Sequence, residues 1–115
     1  MAKGNTLRGQ TSVEIGGQEH EVLLNMNAFR LMTQDRGLEL GDLDEFVSKN
    51  PLEFVPTVVY WGIMNTADFA GQDRPEIKFD HVAAAVCADM DKFNVLSTSI
   101  GESLGVQVGD KEGNE

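Results

Sequence analysis

Residues 58–64 read Val-Val-Tyr-Trp-Gly-Ile-Met, a stretch with no charged side chain and no polar atoms beyond the tips of the tyrosine and indole rings. A helix lying on a protein surface turns a wet face outward every third or fourth residue, and this run has none to turn. It must be enclosed, and a chain of 115 residues has to supply the enclosure. Periodicity alone would allow a buried strand. The length of the surrounding segment, residues 52–69, favours a helix, as does its entry through Asn50-Pro51, a capping residue followed by proline at the first helical position. Pro56 then falls in the first turn of that helix or kinks it.

The elements available to cover it can be read in order. Residues 11–15 and 18–24 alternate, with Val13, Ile15, Val22 and Leu24 on one side. Gly16-Gly17 between them suits a tight hairpin turn, whose two central residues need positive φ. Two strands alone are marginal in water, so the apolar side of this hairpin must lie on helices. Asn27 is a candidate N-cap for a helix with Ala28, Phe29, Leu31 and Met32 on its apolar face, stopped at Gly37. Asp42 is a candidate cap for a short helix carrying Leu43, Phe46 and Val47. Asp80 opens another, with Val82, Val86 and Met90 on one stripe and Ala83 and Cys87 beside it. Residues 91–104 space Phe93, Leu96, Ile100 and Leu104 as a further amphipathic face, ending at Gly105. The expected fold is α+β, mainly α: one domain over residues 10–105, with an N-terminal β-hairpin packed on a bundle of four or five helices. Residues 1–9 and the acidic tail, 106–115, are expected to be flexible.

Charge narrows the range of partners. Nineteen acidic and nine basic side chains give a net −10. Lys3 and Arg8 sit near the start without acids beside them, so the acidity belongs to the body of the chain. Nucleic acid and anionic membranes are both held by Lys and Arg, and neither is an expected partner. A single cysteine, Cys87, forms no internal disulfide, and no apolar run has the length of a secretory signal or a membrane span. The expectation is a cytoplasmic protein.

Motifs that would carry chemistry fail on their spacing. His20 and His81 belong to no zinc pattern, and one cysteine cannot complete the usual sites. Asp42, Asp44 and Glu53 match the first, third and twelfth positions of a calcium loop, but Phe46 and Val47 stand where a ligand and a glycine are needed. No glycine-rich phosphate loop is present. Cys87 reads as a small hydrophobe in a helix and not as a nucleophile. Gly101-Glu-Ser-Leu104 is similar to the attachment site of acyl carrier proteins, but Ser103 lies near the C-terminus with Gly105 following, so no helix remains for it to begin. The expectation is a protein that is not an enzyme and has no cofactor or metal.

What remains is a surplus of apolar mass. Phe54, Tyr60, Trp61, Met64 and Phe69 all fall on the one helix, and tryptophan and tyrosine are over-represented where proteins bind one another. So short a chain is hard pressed to wrap a helix of this length on every side. These five residues are therefore the candidate partner-binding set, for another protein or, by self-association, for a second copy of the chain.

The order of features also carries a resemblance. A polar start and the hairpin lead into Asn25-Met-Asn-Ala-Phe29. Gly37 and a short helix follow, then Asn50-Pro-Leu-Glu-Phe54, the apolar run 58–64, Pro75-Glu-Ile77, the helix from Asp80, and Ile100-Gly-Glu-Ser-Leu-Gly105. Over roughly residues 10–105 this resembles the tail assembly chaperones of long-tailed phages and gene transfer particles, in pattern and in short strings and not through any catalytic signature. The resemblance implies a protein of the bacterial host's cytoplasm, absent from the mature virion. It would bind the tape measure protein, keep it soluble and help recruit tail tube subunits. It also implies a longer, frameshifted form joined near residues 106–115. Another phage or bacterial adaptor would share the apolar surplus but would bind a host target without any dependence on tail genes.

Overall fold

In the computed structural model, residues 10–104 are described, with Gln10, Leu40, Ser103 and Leu104 described by backbone alone. The expected flexible ends, 1–9 and 106–115, and the Gly105 stop lie outside the described residues. Two strands, β1 (Gln10–Ile15) and β2 (Gln18–Leu23), are followed by α1 (Met26–Arg36), a 3-10 turn (Leu40–Asp42), α2 (Leu43–Lys49), α3 (Pro51–Ala70), α4 (Phe79–Val86) and α5 (Met90–Leu104). The architecture is the hairpin on helices expected from the sequence.

β1 and β2 pair antiparallel, with Thr11 opposite Val22, Val13 opposite His20 and Ile15 opposite Gln18. Gly16 and Gly17 turn the chain at φ of 60° and 83°, the pair of positive values that a two-residue hairpin with native twist requires. Alternation then aims Val13, Ile15, Val22 and Leu24 inward, and all four are buried.

α3 is the axis of the molecule. It packs against β2 and against α1, α2, α4 and α5, while α4 and α5 also meet β1. The core around it joins Phe29 and Met32 of α1, Val47 of α2, Val82 and Val86 of α4, and Leu96 and Ile100 of α5. Helix and strand approach closely at Gly62, where an added Cβ would collide with Val22 Cγ1 and lie 3.2 Å from Leu24 Cδ2. Pro56 is the sixth residue of α3, beyond its first turn, and the helix continues through it. Proline offers no N–H to the Leu52 carbonyl, and that oxygen instead has the Cys87 sulfur 4.0 Å away.

Three local expectations change. The N-cap of α1 is Asn25 and not Asn27: its side chain accepts from the Asn27 and Ala28 amides at 3.0 and 3.4 Å. α4 begins after Lys78, which places Asp80 in its first turn and not at its cap. The stripe Val82–Val86–Met90 is broken because α4 ends at Val86. Cys87 is the C-cap and is exposed, and Met90 opens α5 at 73% exposure. Asp42 and Asn50 do precede α2 and α3, but neither makes a side-chain capping bond. Asp42 accepts from the Glu39 amide at 2.9 Å, holding the 3-10 turn instead.

Candidate functional site

α3 has few residues left for the surface. Phe54, Val55, Pro56, Thr57, Val58, Val59, Gly62, Ile63, Met64, Asn65 and Ala67 are buried. Phe54 and Met64, at 1% and 3% exposure, therefore belong to the core and leave the candidate binding set. The reason is tertiary: α2 lays Phe46 edge-on against Phe54, with ring centroids 5.4 Å apart at 89°, and Met64 is covered once the hairpin and helices pack round α3. Phe69, by contrast, is 64% exposed at the end of α3. Tyr60 and Trp61 are half-buried, packed on the core with part of each ring at the surface.

Those two rings form the centre of a continuous band. Tyr60 meets Trp61 edge-on, with centroids 5.1 Å apart at 89°. On the other side Tyr60 meets Phe79, at the start of α4, at 6.0 Å. Phe79 lies under the Arg36 guanidinium at 5.5 Å, and Arg36 also reaches the Phe46 ring at 6.0 Å. At the opposite end Arg74 covers Trp61 at 5.6 Å. The order Phe46, Arg36, Phe79, Tyr60, Trp61, Arg74 thus runs along one flank as three edge-on rings between two guanidiniums, with Phe46 beyond Arg36, and the three guanidinium contacts lie within the range where a cation is drawn to a ring.

Both guanidiniums are held in place. Arg36 Nη2 donates to Glu53 Oε2 at 2.8 Å and to Thr57 Oγ1 at 2.9 Å. Arg74 grips Asp68 through Nε and Nη2 at 2.9 and 2.7 Å, the two-pronged geometry that suits a carboxylate. This grip keeps the Asp68 carboxyl below its ordinary value and raises Arg74 further. The net result is an aromatic strip whose positive charges are already paired locally, so a partner would meet ring surface and paired guanidiniums and not bare cations. Beside it, Arg36, Leu38, Asp42, Glu45, Phe46, Lys49 and Asn50 line an open cleft of about 390 Å³.

Among the sequence's candidates, then, the structure keeps Tyr60 and Trp61 together, moves Phe54 and Met64 inside, and leaves Phe69 at the end of the helix. Phe46, Arg36, Phe79 and Arg74 were missed. Arg36 and Glu53 are far apart in sequence, and the loop carrying Arg74 has no periodicity to announce its return onto Trp61. The residues weighed for chemistry are dispersed. Among the described residues no three His, Cys, Asp or Glu side chains converge to hold a metal ion. Desolvation, and secondarily the Glu53 carboxylate, push the Cys87 thiol up, away from its reactive form. Ser103 lies in the last turn of α5. No described helix is long and apolar enough to cross a membrane.

Comparison with family models, with curated proteins and with solved structures finds no match to this chain.

Proposed function

We propose that this chain is a tail assembly chaperone: a protein of the bacterial host's cytoplasm that binds a long, helical tape measure protein, keeps it soluble and helps bring tail tube subunits to it. The observation that carries this reading is the Tyr60–Trp61 pair. Midway along a helix whose middle is mostly enclosed, these two rings stay partly at the surface, flanked by Phe79 and by two guanidiniums fixed by their own carboxylates. Tryptophan, tyrosine and arginine are the residues on which binding energy concentrates, and a strip already rigid loses little entropy on docking. The net −10 of the chain keeps a complex with an apolar partner in solution. Release during assembly calls for contacts in the micromolar range, multiplied by several copies on one long partner.

The test is co-expression with the tape measure protein that this reading expects in a neighbouring gene. The wild-type chain should shift the tape measure from the pellet to the supernatant and co-purify with it. A tape measure equally insoluble with and without the chain would overturn the reading.

A further inference from the structure

The hairpin has two edges, and they differ. On β2 the Glu21 carbonyl accepts from Thr66 Oγ1 at 2.9 Å and the Leu23 carbonyl accepts from Asn65 Nδ2 at 2.9 Å. α3 therefore closes that edge. These bonds also fix the ladder. In an antiparallel pair, opposed residues alternate between exchanging both backbone bonds and exchanging neither. Because Glu21 turns its carbonyl outward, Glu21 and Ser12 form a pair that exchanges neither, and so do Glu19 and Glu14. The backbone N–H and C=O of Ser12 and of Glu14 consequently point away from β2, along the outer edge of β1. Among the described residues one contact reaches them: Lys92 Nζ donates to the Glu14 carbonyl at 3.3 Å.

The same alternation sorts the side chains. Ser12, Glu14, Glu19 and Glu21 share the outward face, with Glu14 directly opposite Glu19, and all four are exposed. Ser12 Oγ donates to Glu19 Oε2 at 2.9 Å. A like-charged pair placed face to face costs stability in a sheet, and an opposite charge on a neighbouring strand would relieve it.

We infer that the outer edge of β1 takes an added strand from a partner, an extended segment with lysine or arginine at alternate positions. Its backbone would continue the ladder through the Ser12 and Glu14 amides and the Ser12 carbonyl, and its basic side chains would stand beside Glu14 on the glutamate face. Strand addition of this kind draws affinity from main-chain bonds and selectivity from alternate side chains. A second copy of this chain is a poor occupant, since β1 against β1 would place Glu14 and its neighbours on an equally acidic face. Lys92, parked on the Glu14 carbonyl, guards the edge in the way lysines commonly protect exposed strands. This surface is separate from the Tyr60–Trp61 strip, so its test is independent of the tape measure reading.

The experiment follows backbone amide exchange by NMR on the full chain, alone and with acetyl-Lys-Val-Lys-Val-Lys-Val-Lys-amide or its Glu-for-Lys counterpart. In the free protein the Ser12 and Glu14 amides should exchange fast and those of Val13 and Ile15 slowly. The lysine peptide should slow Ser12 and Glu14 by about tenfold or more at saturation, while the glutamate peptide should leave them unchanged. Glu14→Lys should weaken the lysine peptide by about tenfold, and Lys92→Ala should strengthen it. Ser12 and Glu14 amides already slow in the free chain would mean that the edge is occupied by the chain itself, and would overturn the proposal. So would lysine-peptide binding that leaves these two amides fast, or no binding at all.

Discussion

At Gly62 a hydrogen stands where any other residue would carry a Cβ, and Val22 of β2 and Leu24 just after it fill the space it leaves. Val22 is fully buried and branched at its own Cβ, so it has little freedom to move aside. Gly62→Ala should therefore destabilise the fold by about 1–3 kcal/mol despite the better helix propensity of alanine. A lower denaturant midpoint at unchanged slope would show it, and a midpoint equal to or above the wild type would refute the close packing. Asp68 offers a second test at this scale. Arg74's hydrogen bonds hold its carboxyl below the ordinary aspartate value, so the folded state binds that proton less readily than the unfolded chain. The contribution of the pair is present above the unfolded value and is lost as pH falls through the lower folded value. Trp61, the single tryptophan, lies under Arg74 and reports the change. Its fluorescence should hold from neutrality down through the ordinary aspartate range and shift only below it. Asp68→Asn should give the shifted emission already at neutral pH.

Among the elements, the junction of β2, α1 and α3 depends on one buried amide. Asn65 is fully buried, donates to the Leu23 carbonyl and to Asn25 Oδ1, and accepts from Asn27 Nδ2 at 2.8 Å. Asn25 is at the same time the cap of α1, so a single side chain ties strand end, helix start and central helix together. Asn65→Leu matches the size but leaves the Leu23 carbonyl and two amide groups short of partners. It should cost about 2–3 kcal/mol, read as a drop in the urea midpoint. A cost near zero would mean that water replaces the lost bonds. The sequence allowed for a cap near this point but located it at Asn27, because both asparagines suit the role locally. Only the approach of Asn65 from α3 decides which one turns its carbonyl oxygen to the helix amides. The α4–α5 junction is a similar case. The apolar stripe through Met90 was a fair extrapolation of helical spacing, but the chain breaks at Cys87, and no glycine or proline in that stretch announces the break.

For the whole molecule, the question is how the four other helices of the described residues and the hairpin share one apolar helix. They cover most of it and leave a flank. If the strip of Tyr60, Trp61, Phe79, Arg36 and Arg74 is where the proposed tape measure partner docks, the double variant Tyr60→Ala/Trp61→Ala should weaken its capture. A loss of about 2 kcal/mol, roughly thirtyfold in affinity, is typical of truncating a central aromatic. Because both rings also pack on the core, Phe69→Ala serves as the companion: Phe69 is 64% exposed, so its loss should leave the melting temperature unchanged. Unchanged capture by a folded Tyr60/Trp61 double variant would remove the strip from consideration.

By itself the sequence determined the hairpin, its glycine turn and its inward face, and it placed the central helix within a residue or two. These follow from local rules: period-two alternation, positive φ at Gly16-Gly17, a proline start and an apolar run with no wet side. It also identified Tyr60 and Trp61 as candidates, because ring size and polar tips are properties of the residues. Which rings the fold would hide was decided by tertiary structure alone. Phe54 and Trp61 are two helical turns apart on nearly the same side of α3, so no helical pattern distinguishes them. α2 brings Phe46 onto Phe54, whereas over Trp61 a loop brings the guanidinium of Arg74 and the ring stays half-buried. Burial depends on what the remaining elements have left to cover, and that is settled only when all of them pack.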